Sequence, residues 1–138
     1  MIIKENYSLQ AYHTFHLPIK SRWYIEYKSI EELKKILKED LLKKHSFLHI
    51  GGGSNLLFIQ DYNGVILHSG IQYIDILEEK DDSILLKVGS GMIWDDFVKY
   101  CVNNNWGGTE NLSMIPGEVG ASAVQNIGAY GAEVKDII

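Results

Sequence analysis

The chain has 138 residues and a mass of 15.7 kDa, which is enough for one compact domain. Its 46% hydrophobic and 22% charged residues are typical of a globular protein and argue against a disordered one. The formal net charge of −5 disfavours a general nucleic-acid binder, and no apolar run approaches the roughly 20 residues of a membrane-spanning helix.

The first predicted elements are a strand, a helix and a second strand. Residues 22–27 are rich in aromatic and β-branched side chains, which favour a strand. Ser29 followed by Glu32 is the pattern of a helix-capping box, and residues 46–50 predict the next strand. This order predicts a βαβ unit with a right-handed crossover. The apolar positions of the helix repeat at helical spacing: Ile30, Leu33, Ile36, Leu37 and Leu41.

The next part of the chain predicts antiparallel β structure. A short apolar run at 65–67 is followed by a partly alternating run at 71–77 and another apolar run at 84–88. The polar residues 78–83 predict the turn between the last two runs. These three segments are therefore expected to form an antiparallel sheet.

A second helix is predicted from Met92 onward. Asn103–Asn105 and two glycines are expected to end it, and Asp95 and Asp96 lie near its start, where the helix dipole favours acidic side chains. The final residues, 133–138, have the pattern of a strand that is cut short. We therefore expect the chain to be part of a larger protein, with a free strand edge able to self-associate. The side chains expected to face the core at i, i+3, i+4 and i+7 are Trp94, Phe97, Val98 and Cys101.

The first candidate binding segment is the glycine loop, Gly51-Gly52-Gly53-Ser54-Asn55, which follows the second predicted strand. Consecutive glycines allow positive φ angles and bring backbone N–H groups close to an anion such as a pyrophosphate. The alternative is a plain tight turn. The loop lacks the Gly-Lys-Ser/Thr of a P-loop and the third glycine of a Rossmann fingerprint.

The second candidate binding segment is Ile115–Gly131, in which Glu118 carries the one charge. Its many small residues permit close approach by a flat ligand or by another backbone. Gln125 and Asn126 carry amides that can recognise ring nitrogens and carbonyls, and Tyr130 offers an aromatic face or a hydroxyl. The alternative is a tightly packed crossing between helix and sheet. The polar amides favour a binding segment.

The histidines and the cysteine do not indicate a metal site or a catalytic site. The five histidines show no spacing typical of a metal site, and no Ser-His-Asp or Cys-His arrangement is evident. Cys101 is expected in the core, and a single cysteine forms no internal disulfide. The N-terminus lacks the pattern of a secretory signal. A cytoplasmic protein with no metal site is therefore expected.

Three segments together resemble the UDP-N-acetylenolpyruvoylglucosamine reductase family: residues 51–58, Glu110-Asn111-Leu112 and Ile115–Gly131. The string Gln-Asn-Ile-Gly-Ala-Tyr-Gly at 125–131 is the most specific part, and the resemblance runs from about Tyr7 to the last residue. It implies an α+β FAD-binding fold of the vanillyl-alcohol oxidase and p-cresol methylhydroxylase type. The two implied α+β subdomains are residues 1–60 and 61–138, with FAD between them.

The resemblance also implies an activity and a set of cofactor-binding residues. The family reduces the enolpyruvyl group of a UDP-sugar with NADPH, through bound FAD, in peptidoglycan precursor synthesis. The catalytic groups of the family lie beyond the matched segment, so none is expected in this chain and the chain alone is expected to be inactive. The alternatives are another FAD-linked oxidoreductase of the same fold and a non-catalytic nucleotide-binding module. The residues implied to hold the FAD pyrophosphate are Gly51, Gly52, Gly53, Ser54 and Asn55. Those implied to line the flavin and its ribityl chain are Pro116, Gly117, Val119, Gly120, Ser122, Gln125, Gly128, Ala129 and Tyr130.

Overall fold

A computed structural model describes all residues from Met1 to Ile138, which form two compact units, Met1–Ile71 and Gln72–Ile138. No helix in either unit is both long and apolar enough to cross a membrane. The first unit contains β1 (Ile2–Ser8), β2 (Lys20–Tyr27), α1 (Ile30–Ile36), α2 (Asp40–Lys44), β3 (Phe47–Ile50) and β4 (Tyr62–Ser69). The second contains β5 (Ile74–Glu79), β6 (Ile84–Val88), α3 (Trp94–Asn103), α4 (Val119–Ser122), β7 (Gly128–Ala129) and β8 (Ala132–Glu133), with 3-10 turns at Glu110–Leu112 and Val134–Asp136.

The first unit is built on a four-stranded sheet in the order β1-β2-β4-β3. The predicted strand, helix and strand are all present, but β2 and β3 are not neighbours. Strand β4 lies between them and is parallel to both, whereas β1 is antiparallel to β2. The prediction that residues 65–67 join an antiparallel sheet is therefore wrong. A strand covered on both faces has a continuous apolar sequence, and Val65, Ile66 and Leu67 are all buried. The units accordingly divide after Ile71 rather than after residue 60.

The predicted helix of the first unit is two short helices. The Ser29 hydroxyl accepts the Glu32 N–H at 3.1 Å and so caps α1 as expected. The Glu32 carboxylate does not complete the reciprocal box, because it accepts the N–H of Lys28 at 2.8 Å instead. The helical path is interrupted at Glu39, whose ψ of 141° is extended, before α2 begins. Leu37, placed on the predicted apolar stripe, is consequently half exposed.

Both faces of the sheet are covered. On one face, side chains of β2 and β4 pack against the buried residues Ile36 of α1 and Leu42 of α2. On the other face, Tyr24 and Ile66 pack with Leu9 and Phe58, which come from the segments that precede β2 and follow β3. Because side chains alternate along a strand, these two clusters use alternate residues of the same strands. Ile50 and Phe58, both buried in this second cluster, therefore anchor the chain on either side of residues 51–55.

The second unit follows its sequence pattern closely. Strands β5 and β6 pair antiparallel, as predicted. All four predicted core residues of α3 are buried. The helix ends at Asn103, with Asn104 as its C-cap, and Asn105 follows with a φ of 59°. The indole Nε1–H of Trp94 donates to the carbonyl oxygen of Leu112 at 2.8 Å. The helix is therefore joined to the 3-10 turn that precedes the second candidate segment.

The end of the chain is not the strand predicted for 133–138. Strand β8 ends at Glu133 after pairing with β7, and Val134–Asp136 form a 3-10 turn. Val134 is completely buried in the core of the second unit. The chain turns here because Val134 enters that core. The free strand edge from which we expected self-association is therefore not present at residues 133–138.

Candidate cofactor-binding site

The glycine loop follows β3 directly, as predicted, and its third glycine has the decisive geometry. Gly53 is buried and has a φ of +69°, a left-handed conformation that favours glycine. A Cβ built on Gly53 would lie 1.8 Å from the carbonyl oxygen of Tyr12. Gly51 and Gly52 are not in the positive-φ region. At Gly53 the need for glycine therefore comes from a neighbouring backbone as well as from the turn.

The backbone of the glycine loop is fixed by hydrogen bonds, and some of its residues are exposed to solvent. The Leu56 N–H donates to the Gly53 carbonyl at 3.2 Å, and the Thr14 hydroxyl donates to the Ser54 carbonyl at 3.3 Å. Gly52 and Asn55 are exposed, whereas Gly51 and Ser54 are partly buried. The loop thus combines a fixed backbone with solvent-facing positions where an anionic group has access.

The second candidate segment is fixed to the chain that precedes α3. The Val119 N–H donates to Met92 and the Gly120 N–H donates to Ser90, both at 2.9 Å. In the other direction, the Trp94 N–H donates to Gly117 at 3.0 Å. These bonds set the path of the segment from Gly117 into the short helix α4.

Two of the residues expected to contact the cofactor have clear internal roles. A Cβ on Gly120 would lie 2.6 Å from the Cβ and 2.9 Å from the carbonyl oxygen of Ser90, so close packing requires glycine there. Ser122 is buried, and its hydroxyl donates to the carbonyl of Val119 at 2.7 Å. At Gly120 the segment is therefore the tightly packed crossing that we considered as the alternative to a binding segment.

Other predicted residues of this segment share one small recess. Gln125 and Pro116 line it from exposed positions, and Gly117 and Ser122 line it together with the buried Trp94. Glu118 also lines the recess and is 9% exposed. Glu118 is the one acidic residue of the segment, and the other residues that line the recess have small, apolar or amide side chains.

The end of the segment exposes a large side chain on a strained backbone. Tyr130 is 94% exposed and has a φ of 52°. Gly128 is exposed and Ala129 partly buried in the short hairpin that carries this tyrosine. Bulky residues rarely adopt the left-handed conformation, and such residues are concentrated at ligand-binding sites. The hairpin therefore presents the Tyr130 ring to solvent without a packing partner within the second unit.

The Asn126 amide forms two hydrogen bonds within its own unit. Its Oδ1 accepts the N–H of Lys135 at 3.1 Å, and its Nδ2 donates to the carboxylate of Glu133 at 3.0 Å. Glu133 also forms an ion pair with Lys135, and these hydrogen bonds, the one from Lys135 first, lower the pKa of the Glu133 carboxyl. The amide thus joins the turn before β7 to the residues at and after the end of β8, and Asn126 itself has a φ of 45°.

Sequence reasoning missed the support that lies behind the glycine loop. Tyr12, His13 and Thr14 contact the loop but carry no motif and lie far from it along the chain. Ser90, which fixes Gly120, is missed for the same reason. No group of three or more His, Cys, Asp or Glu side chains is arranged to hold a metal ion.

The fold has a counterpart among solved structures. The crystal structure of UDP-N-acetylenolpyruvylglucosamine reductase from Thermus caldophilus superposes with a TM-score of 0.75 over 98% of this chain and 47% of that chain. The two sequences are 21% identical, so this likeness concerns the fold. It confirms the α+β FAD-binding fold that the sequence predicted.

The sequence comparisons identify the family. The FAD binding domain family matches residues 22–138, and the chain belongs to that family. Curated relatives share the name UDP-N-acetylenolpyruvoylglucosamine reductase, which confirms the resemblance. Those from Bacteroides fragilis and Porphyromonas gingivalis are 53% and 49% identical over 99% and 100% of this chain, respectively. One from Neisseria gonorrhoeae is 43% identical over 99% of the chain. The chain spans 41% of the length of the first two relatives and 39% of the third.

Proposed function

We propose that this chain is the FAD-holding part of an NADPH-dependent reductase that converts UDP-N-acetylglucosamine enolpyruvate to UDP-N-acetylmuramate. The observation that carries the proposal is the identity of about half of the residues, over the whole chain, with proteins named as that reductase. The role of the full-length protein would be in peptidoglycan precursor synthesis, with a UDP-sugar as substrate. We place it in the cytoplasm, a reducing compartment that suits the free, buried Cys101.

The glycine loop is the proposed site of the FAD pyrophosphate. The chain has one arginine, Arg22, so backbone N–H groups must supply most of the attraction for the phosphates. Gly53 fits this role because a side chain there is excluded by both its φ and the Tyr12 carbonyl. Ser54 and Asn55 add hydroxyl and amide groups that can donate to phosphate oxygens.

The second segment is the proposed site of the flavin ring and its ribityl chain. Pro116, Gly117 and Gln125 offer small or amide surfaces at one recess, which suits a flat ring with polar edges. Tyr130 offers an exposed aromatic ring for stacking or a hydroxyl for hydrogen bonding. Val119, Gly120 and Ser122 would act mainly by holding this surface in place, given their internal contacts.

Bound FAD would supply the redox chemistry, taking a hydride from NADPH and delivering it to the enolpyruvyl double bond, with a proton completing the reduction. The 138 residues described here bind and orient the cofactor. We assign the proton donor to none of them, so this chain alone is expected not to turn over.

The test is a titration of the purified, flavin-free chain with FAD, followed by flavin fluorescence. We expect saturable binding that excess AMP or inorganic phosphate does not displace, because the flavin as well as the pyrophosphate is recognised. Displacement by AMP alone would instead indicate a general nucleotide-binding module. Absence of binding by a chain shown to be folded would contradict the proposal that these residues suffice to hold FAD.

A further inference from the structure

The segment Leu9–Leu17, which we call the strap, contacts the glycine loop at consecutive residues. Backbone atoms of the strap lie against Gly53, where an added Cβ would be 1.8 Å from the Tyr12 carbonyl oxygen and 3.3 Å from the His13 Cα. One residue further on, the Thr14 hydroxyl donates to the Ser54 carbonyl at 3.3 Å. The position of the strap therefore determines where the loop backbone can lie.

Two imidazole rings close the strap on itself. The His13 Nε2 lies 3.2 Å from the Leu17 carbonyl oxygen, and the His16 Nδ1 lies 3.0 Å from the Gln10 carbonyl oxygen. A carbonyl oxygen only accepts hydrogen bonds, so each ring carries its proton on the nitrogen that faces the carbonyl. His13 is the buried member of the pair, with 2% of its surface exposed.

The His13 ring also contacts the chain on the far side of the loop. It meets the buried Phe58 ring edge-on, with centroids 5.6 Å apart and planes at 69°. Its Nδ1 is buried without a hydrogen-bond partner, which disfavours a polar ring at this place. A phenylalanine would fill a similar volume without that penalty. The hydrogen bond from Nε2 is therefore the interaction for which a histidine is needed.

We propose that His13 is a positioning residue for the cofactor: it closes the strap, and the strap holds the glycine loop in the shape that binds the FAD pyrophosphate. This inference rests on the role proposed above for the loop. Thr14 is the second element, because its hydroxyl joins the strap to Ser54. Neither residue is required to touch the cofactor.

The test compares His13→Phe, which keeps a ring but removes the Nε2 donor, with His13→Gln, whose side-chain amide can restore it. The matched control is His45→Phe, because His45 packs on Trp23 in the same unit and takes no part in the strap. Each full chain is titrated with FAD after its unfolding midpoint is measured, so that affinity refers to folded protein. We expect His13→Phe to raise the Kd for FAD about tenfold, a typical effect of one lost hydrogen bond, with His13→Gln and His45→Phe close to the parent.

Hydrogen exchange supplies a readout that does not depend on FAD. The Leu56 amide donates to the Gly53 carbonyl and reports on the loop, whereas the Leu37 amide donates to Leu33 and reports on α1. We expect His13→Phe to accelerate exchange at Leu56 and leave Leu37 unchanged. If His13→Phe does not fold, Thr14→Val replaces it at an exposed position, with the same exchange pattern and about a threefold rise in Kd expected.

The outcomes separate this inference from the proposed function. Unchanged Leu56 exchange and FAD affinity in a folded His13→Phe chain would overturn the positioning role, as would a His13→Gln chain no better than His13→Phe. In the Thr14→Val arm, unchanged exchange and affinity would do the same. If the folded parent chain binds no FAD, the proposal that these residues suffice to hold FAD fails, and exchange at Leu56 still decides whether His13 positions the loop.

Discussion

Gly53→Ala is the substitution that most directly tests how the glycine loop is built. It introduces one methyl group at a residue with a φ of +69°, against the backbone of Tyr12. The matched control is Gly131→Ala, because Gly131 has a φ of +83° and nothing within 4 Å of an added Cβ. Both substitutions strain the backbone in the same way, and only Gly53→Ala adds a collision.

The expected loss of stability follows from these two contributions. An alanine held in the left-handed region costs about 1–2 kcal/mol, which is the whole effect expected for Gly131→Ala. At Gly53 the methyl carbon would lie 1.8 Å from the Tyr12 oxygen, far inside ordinary contact, so the loop or the strap must move. Overpacking of this kind adds about 1–3 kcal/mol, giving a total of about 2–5 kcal/mol for Gly53→Ala. At a domain stability of about 10 kcal/mol, the middle of the typical range, a loss of this size leaves enough folded protein for the comparison.

The assay is urea denaturation of both variants and the parent, followed by FAD titration of the folded chains. We expect Gly53→Ala to be less stable than Gly131→Ala and to lose most of its FAD affinity, because the displaced loop no longer presents its N–H groups together. Equal losses of stability in the two variants would show that the Tyr12 carbonyl is not a fixed obstacle. Unchanged FAD affinity in Gly53→Ala would refute the assignment of the pyrophosphate to this loop.

Four further substitutions test other parts of the structure. Trp94→Ala should destabilise the chain by about 3–5 kcal/mol, because it empties a buried site and removes the donor to Leu112; an unchanged urea midpoint would contradict its core position. Burial, followed by the hydrogen bond to Tyr12, raises the pKa of Tyr24 above the ordinary value of 10.0. As the pH rises, the unfolded chain therefore loses this proton at a lower pH than the folded chain does. Its contribution to stability is present below about pH 10 and falls at higher pH, and Tyr24→Phe should flatten the decline measured by urea denaturation between about pH 9 and 11. Gly120→Ala should lower the free energy of unfolding by about 1–3 kcal/mol, because the added methyl group contacts Ser90. Tyr130→Ala should weaken FAD binding with little change in the urea midpoint, because its side chain is exposed. Loss of stability in Tyr130→Ala, with loss of FAD affinity alone in Gly120→Ala, would contradict both assigned roles.

The sequence predicted elements well where the signal is local and repeated. Helix α3 shows its four core positions within eight residues, and all four are buried as expected. The β5–β6 hairpin is likewise set by two neighbouring runs and the turn between them. Strand β1 was missed because it is an exposed edge strand, so its sequence lacks the alternation that half-burial would impose.

The position of β4 shows why the pairing of strands could not be predicted from local sequence patterns. A short apolar run such as Val65–Leu67 fits a central parallel strand as well as a buried antiparallel one. The choice depends on β2 and β3, which lie earlier in the chain and must leave a gap between them. The split of the predicted helix into α1 and α2 is also non-local in origin, since Leu42 rather than Leu37 reaches the core.

Composition located both candidate binding segments, because a run of glycines and a long tract of small residues are unusual in any context. It could not separate residues that shape the site from residues that face a ligand. Gly53 and Gly120 are both required by neighbouring backbone, from Tyr12 and Ser90, which no local pattern reveals. Asn126 carries the same amide as Gln125, yet its hydrogen bonds to Glu133 and Lys135 commit it to the hairpin.

The division between supporting and ligand-facing residues follows from how a rigid site must be made. A loop that holds an anion through backbone N–H groups needs those groups aimed before the ligand arrives, since ordering them during binding would cost conformational entropy. Under the proposal made above, the strap would orient the N–H groups of the glycine loop, with the Tyr12 carbonyl against Gly53 and the Thr14 hydroxyl donating to Ser54. In the second segment, the backbone hydrogen bonds of Val119 and Gly120 would have the same role. Each segment thus derives its shape from contacts with distant parts of its own unit, and its sequence alone encodes only the surface it presents.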